Sequence, residues 1–226
     1  MRFSENHLIK AMIFDFDGTL AVLNIDFGLM KERVLQWMKV FGVVEERIKE
    51  KYLLEIIDEA YRLLKEGRSV SEAERFFLGA HQILKDVEFE AAAKGILIPG
   101  SKETLAFLRE RGLRVGIVTR NCEEAVRRVF PNINAYCDAF VSRDSVKRVK
   151  PHPDHLASVM NALKVSEEEA VMIGDHVLDI QAGKRVGMKT VGVLTGRIKK
   201  EEFEKAGADY ILRDVSEICE LLEDKR

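Results

Sequence analysis

Lys10–Phe14 (KAMIF) is a short apolar run that stops at Asp15-Phe16-Asp17-Gly18-Thr19. Much later, Leu113–Val118 stops at Thr119-Arg120-Asn121, and Ala170–Ile173 stops at Gly174-Asp175. Runs of this length bounded by polar or glycine-containing turns read as buried strands. From Ile96 onward they alternate with helical patterns: Thr104–Arg109, a helix after Asn121, Asp154–Leu163 behind Pro153, and Val177–Val186. Ala139–Val141, Thr190–Val193 and Tyr210–Leu212 complete the strand set. Alternation of this kind predicts an α/β fold, a Rossmann-like parallel sheet with helices on both faces.

One long segment breaks the alternation. Phe27–Phe41, Glu45–Glu66 and Ser71–Lys85 repeat apolar residues three and four apart, as in Ile48, Tyr52, Ile56, Ala60 and Leu64, and no strand pattern intervenes. Gly42 and Gly67 stand as stop signals after the first two, and Ser71 with Glu74 is spaced as a capping box for the third. The expected organisation is a core of residues 1–21 plus 94–226 with a small all-α domain, residues 22–93, inserted.

Composition excludes several classes. The 226 residues carry 36 basic and 38 acidic side chains, so the basic excess of a nucleic-acid-binding domain is missing. The cysteines Cys122, Cys137 and Cys219 are odd in number and form no CxxC pair, against a disulfide framework or a zinc ribbon. No apolar run approaches the ~18 residues of a membrane span, and Met1–Lys10 is too polar for a secretory leader; a cytoplasmic location is expected.

The polar residues that end the strands fit one chemistry. In open α/β sheets the binding crevice lies outside the carboxyl ends of the strands, so Asp15, Asp17, Thr119, Asp175 and Asp179 are candidates to converge there. Phosphoryl transfer asks for oxygen ligands around a hard dication, a carboxylate nucleophile, a second acid for the leaving oxygen, and donors or cations for the non-bridging oxygens. Two acids two residues apart can approach one point. Thr119 offers a hydroxyl, Lys150 a cation and Asp175 a further carboxylate.

At Asp15-Phe16-Asp17-Gly18-Thr19-Leu20, Thr119, Lys150-Pro151 and Gly174-Asp175 with Asp179, the chain resembles the haloacid dehalogenase superfamily. The likeness is to its phosphatase branch, with the helical-capped phosphoglycolate phosphatase and β-phosphoglucomutase-like proteins. The resemblance implies Asp15 as nucleophile and Mg²⁺ ligand, and Asp17 as general acid/base with its backbone carbonyl on the metal. It implies Asp175 as a further Mg²⁺ ligand, with Asp179 supporting the metal's waters or Lys150. Thr119 and Lys150 would bind phosphoryl oxygens, helped by backbone N–H groups of Phe16, Asp17 and Arg120.

The implied activity is Mg²⁺-dependent hydrolysis of a small phosphorylated metabolite through an aspartyl-phosphate, under a cap that closes over the site and sets specificity. The alternatives are a phosphomutase using the same intermediate, phosphonate hydrolysis with a cap lysine, and a non-catalytic phospho-ligand-binding protein. Asp17 argues against carbon–halogen hydrolysis, which needs no acid for a leaving oxygen. The chain is expected to be a monomer or homodimer. Two positions depart from the family pattern. His176 follows Asp175, where relatives often carry a small hydroxyl residue, and Arg120 follows Thr119, where it could clamp a substrate anion or pair with a cap acid. His152, His155 and His176 lie close enough in the pattern to the site to leave a histidine-containing metal centre as an alternative.

Overall fold

The computed structural model describes residues 8–223, so most of the Met1–Lys10 stretch lies outside the described residues. In chain order the regular elements begin with β1 (Ala11–Phe14), β2 (Ala21–Val22), α1 (Phe27–Val40), α2 (Leu53–Gly67), α3 (Val70–Ala92) and β3 (Ile96–Leu97). They continue with α4 (Ser101–Glu110), β4 (Arg114–Val118), α5 (Glu123–Val129), β5 (Ala139–Val141), α6 (Pro153–Leu163) and β6 (Ala170–Gly174). The last are α7 (Val177–Val186), β7 (Lys189–Val193), α8 (Lys200–Ala206), β8 (Tyr210–Leu212) and α9 (Glu217–Glu223). The chain divides into two compact units, one of residues 1–23 and 94–226 and one of residues 24–93. No helix among the described residues is long and apolar enough to cross a membrane.

In the larger unit six strands form one sheet in the order β5-β4-β1-β6-β7-β8, with every neighbouring pair parallel. All four residues of β1 and all five of β6 are buried. That is why their sequences read as continuous apolar runs rather than as alternating ones. The edge strands β5 and β8 are only partly buried. From β1 the chain winds through β4 to the β5 edge, then returns to β6 on the other side of β1 and winds out to β8. The strand order therefore reverses between β1 and β6, and a crevice at such a switch point is where open α/β sheets bind ligands. On one face α6 buries His155, Leu156, Val159, Met160 and Leu163; all but His155 pack into an apolar cluster with Ile13, Val118, Val141 and Met172.

The helical unit is held by apolar stripes. In α3, Ala73, Phe76, Ala80, Leu84 and Val87 are buried at intervals of three and four, and α2 buries Leu54, Ile57, Ala60 and Leu64. Trp37 on α1 donates its indole N–H to the Phe76 carbonyl at 2.9 Å, and Phe41 packs edge-on against both Trp37 and Phe76.

Three local expectations are corrected. The Glu45–Glu66 helix is interrupted: Glu45–Arg47 is a short 3₁₀ turn, Ile48 and Tyr52 are extended, and α2 starts at Leu53. The Glu59 carboxylate accepts the Lys49 and Glu50 N–H groups at 2.8 and 3.1 Å, giving that stretch of backbone a partner other than helix. The cap of α3 is Ser69, which accepts the Glu72 N–H, and not Ser71. At α5 the N-cap residue is Cys122; Asn121 turns its side-chain Oδ1 to the Cys122 N–H at 2.8 Å instead of capping the helix. β2 and β3, an antiparallel pair of two residues each, were not expected, because two residues carry no period to read.

Candidate active site

Asp15 is the first residue beyond β1, and its N–H donates to the Ile173 carbonyl of β6 at 2.8 Å. That bond fixes Asp15 beside the end of the strand that delivers Asp175. After Asp15 and Asp17 the chain enters a tight turn in which Gly18 adopts φ +88°, a left-handed conformation that a side chain would strain. A Cβ on Gly18 would also stand 2.2 Å from an Asp175 carboxylate oxygen, and one on Gly196, beyond β7, would stand 2.0 Å from the same oxygen. Both positions must lack a side chain for Asp175 to sit where it does. Thr195 donates its hydroxyl to the Gly18 carbonyl at 2.5 Å, tying the segment after β7 to the same turn.

Asp179, in the first turn of α7, is buried and accepts the His176 N–H at 3.1 Å, while His176 caps that helix by accepting the Leu178 N–H. Lys150 is buried and directs its ammonium between two acids, 2.5 Å from Asp15 Oδ1 and 2.7 Å from Asp179 Oδ1. Asp15, Asp175 and Asp179 each place a carboxylate oxygen within 4.8 Å of the others, and among the described residues no other group of three or more acids, histidines or cysteines does so.

The electrostatics of this cluster are lopsided. Burial raises the Asp15 carboxyl to about 7 even though Lys150 pulls it down, and Asp179 adds to the rise. Asp175 goes up further, to about 9, through burial and then the charges of Asp15 and Asp179. Burial disfavours the Lys150 ammonium, but Asp15 and Asp179 outweigh it and hold the lysine charged. Two like charges ~4 Å apart cost about 4 kcal/mol at an effective dielectric of ~20. A single ammonium cannot offset the cluster, and Asp175 has a weak hydroxyl contact, from Thr19 at 3.3 Å. An all-oxygen set of clustered carboxylates fits a hard dication such as Mg²⁺.

The remaining sequence-derived residues are placed as follows. Asp17 is half-buried, and its Oδ1 accepts the Leu23 N–H at 3.2 Å; its carboxylate is not part of the three-acid group, whereas that of Asp179 is. Phe16 buries its ring in the core, and its carbonyl accepts the N–H groups of Leu20 and Ala21. Thr119, buried at the end of β4, donates its N–H to Val141 and accepts the Asn121 N–H on its hydroxyl at 3.1 Å. The guanidinium of Arg120 donates to the Lys150 carbonyl, and Arg143 donates to the Arg120 carbonyl at 2.9 Å. Among the described residues, no histidine belongs to the acid cluster. His152 and His176 cap α6 and α7, and His155 is buried in α6. By sequence pattern alone His155, like the other two histidines, is only a metal candidate. The signal for another role was its place in the apolar stripe of that helix, where a polar ring needs partners.

A family model described as haloacid dehalogenase-like hydrolase matches residues 12–193. The chain is 33% identical over 126 residues to the pyrophosphatase PpaX of Halalkalibacterium halodurans, covering 54% of this chain and 58% of that protein. The match thus spans little more than half of that relative's length. With PpaX of Bacillus cereus strain Q1 the identity is 28% over 221 residues, 96% of this chain and 97% of the relative. The crystal structure of a hydrolase from Pseudomonas syringae superposes with a TM-score of 0.67 at 23% identity, over 96% of this chain and 99% of that one; this likeness is one of fold.

Proposed function

The chain belongs to the haloacid dehalogenase-like hydrolases, and from that premise we propose that it is a Mg²⁺-dependent phosphatase that hydrolyses a small phosphorylated metabolite through an aspartyl-phosphate on Asp15. The observation that carries this reading is the meeting of Asp15, Asp175 and Asp179 with the buried ammonium of Lys150 where the strand order reverses.

The Asp15 carboxylate attacks phosphorus. A bond forms from its oxygen to phosphorus as the bond to the ester oxygen breaks, and Asp17 gives its proton to that leaving oxygen. Asp17, now ionised, takes a proton from a water molecule. That water attacks the phosphorus of the aspartyl-phosphate, releasing inorganic phosphate and restoring Asp15. Lys150 and the Thr119 hydroxyl, with the N–H groups of Phe16, Asp17 and Arg120, hold the non-bridging oxygens as charge shifts. Asp15, the Asp17 carbonyl and Asp175, with Asp179 beside them, are the residues that would hold Mg²⁺, which would supply charge neutralisation for the phosphoryl group. A purely phospho-binding protein would have no use for Asp17.

The test is phosphate release from an aryl phosphate with Mg²⁺, comparing the native protein with Asp15→Asn. The variant keeps the shape and removes the nucleophile, so turnover should fall by at least ~10³-fold, and chelator should stop the native reaction. Equal turnover in both proteins would refute the assignment. A substrate panel should include pyrophosphate, the substrate in the relatives' name, beside sugar phosphates and phosphoglycolate. Product analysis then separates free phosphate from the phosphorylated isomer that a mutase would make.

A further inference from the structure

His155 lies in the apolar stripe of α6 with no exposed surface, and both ring nitrogens are engaged. Nδ1 accepts the Lys150 N–H at 3.1 Å, and Nε2 lies 3.2 Å from the Val141 carbonyl. A nitrogen that accepts from an amide carries no proton, so the proton is on Nε2 and points to Val141. Burial, with the nearby Lys150 charge, drives this imidazole down to about 3. The ring is therefore a fixed neutral donor–acceptor and does not carry protons at working pH.

The same Val141 carbonyl accepts the Thr119 N–H at 3.1 Å. A continuous path runs from the Thr119 N–H to the Val141 oxygen, through the imidazole, to the Lys150 N–H. On its other side the Lys150 peptide is gripped by Arg120, whose guanidinium donates to the Lys150 carbonyl. We propose that His155 is a positioning residue for phosphoryl transfer, anchoring the backbone of Lys150 to the carbonyl that anchors Thr119, so that the two side chains facing the phosphoryl oxygens keep a fixed spacing. This rests on the phosphatase reading above. The physical need is clear from Lys150: its ammonium sits on a flexible four-carbon stem and must meet Asp15 and Asp179 together. An apolar residue at 155 would fill the space yet leave a buried N–H without an acceptor.

Two substitutions separate anchoring from packing. His155→Leu removes both bonds, and His155→Asn keeps an acceptor where Nδ1 stands. With saturating Mg²⁺ and an aryl phosphate, His155→Leu should lose roughly 10- to 100-fold in kcat/KM, the range expected for a displaced catalytic group. His155→Asn should recover most of that loss at a similar melting temperature. Activity that tracks melting temperature in both variants, or a Leu variant with native kcat and KM, would overturn the proposal. If the Leu variant does not fold, Asn against native still decides, since an acceptor kept in place predicts a loss under tenfold. A second readout needs no turnover: long-range ¹H–¹⁵N spectra should show His155, assigned through the Asn variant, as the Nε2–H tautomer from about pH 5 to 9. An Nδ1–H ring would turn a donor toward the Lys150 N–H and overturn the anchor. A native protein inactive on every substrate would refute the phosphatase reading alone, while the tautomer would still decide the anchor.

Discussion

The two units of this chain bury different chemistry. Among the described residues, Glu88 is the one charged or polar side chain that the helical unit buries. The α/β unit buries Asp15, Asp179, Lys150, Arg143, His155, Asn121 and several hydroxyl residues, most of them at or near the carboxyl ends of β1, β4, β5 and β6. Buried charge is costly, so it accumulates where preorganised electrostatics have work to do. The helical unit is stabilised by apolar area, and its sequence accordingly conveys packing and little chemistry. The difference teaches where each kind of substitution should register: on stability in the helices, and on metal and phosphate chemistry in the sheet unit.

The largest expected effect tests the helical side. Phe76 is fully buried, and Phe76→Ala should cost roughly 3–5 kcal/mol of that unit's stability. The chain has a single tryptophan, Trp37, whose indole is bonded to the Phe76 backbone carbonyl, so its fluorescence reports this unit in a urea titration. A midpoint unchanged from native would mean that the stripe of α3 does not hold the helices together.

Next in size is the coupling of metal to pH in the α/β unit. Asp15 at about 7 and Asp175 at about 9 are both raised by burial and by neighbouring acids. Raised carboxyls bind more protons in the folded, metal-free chain than in the unfolded one. Metal-free stability should therefore fall as pH climbs from ~4 through both values. Mg²⁺ needs the ionised forms, so its stabilising effect should grow over the same window. At a fixed Mg²⁺ concentration of about 100 times the Kd near pH 8 the gain is ~2.7 kcal/mol there, and it should be smaller near pH 5.5 in thermal melts. A gain independent of pH would separate the metal from these acids.

How far such a division was legible in the sequence depends on the signal each part carries. β1, β4 and β6 were readable because a strand covered on both faces is a continuous apolar run, and Asp15, Thr119 and Asp175 were candidates because they interrupt those runs. The order β5-β4-β1-β6-β7-β8, which brings Asp15 next to Asp175, follows from pairing between distant segments and has no local sign. The start of α2 is not legible, because the stripe through Ile48 and Tyr52 keeps helical spacing while Glu59 draws the Lys49 and Glu50 amides out of a helix. The bonds of His155 were beyond reach, since they join residues that only the fold brings together.

The comparison sharpens when one substitution is placed in each unit. In the α/β unit, Gly196→Ala would set a Cβ 2.0 Å from an Asp175 oxygen. The carboxylate must swing away, so the Mg²⁺ concentration for half-maximal activity should rise by about 10- to 100-fold, consistent with losing one oxygen ligand's placement. The melting temperature of the metal-free protein should barely move. An unchanged Mg²⁺ requirement would show that Asp175 is not held where the cation sits.

In the helical unit the same exchange should do the opposite, and by the smallest margin. Gly67 closes α2, a Cβ there would meet nothing within 4 Å, and its backbone is not in the left-handed region. With no steric cost in the folded state, Gly67→Ala acts mainly by restricting the unfolded chain, which favours folding by roughly 0.4–1 kcal/mol. The urea midpoint read from Trp37 should rise slightly, with kcat and the Mg²⁺ requirement unchanged. A fall in that midpoint would show that this position needs the freedom of glycine. A shift in the Mg²⁺ requirement would break the comparison itself, because it would mean that a change at the end of a helix far along the chain from Asp15, Asp175 and Asp179 reaches the cluster they form.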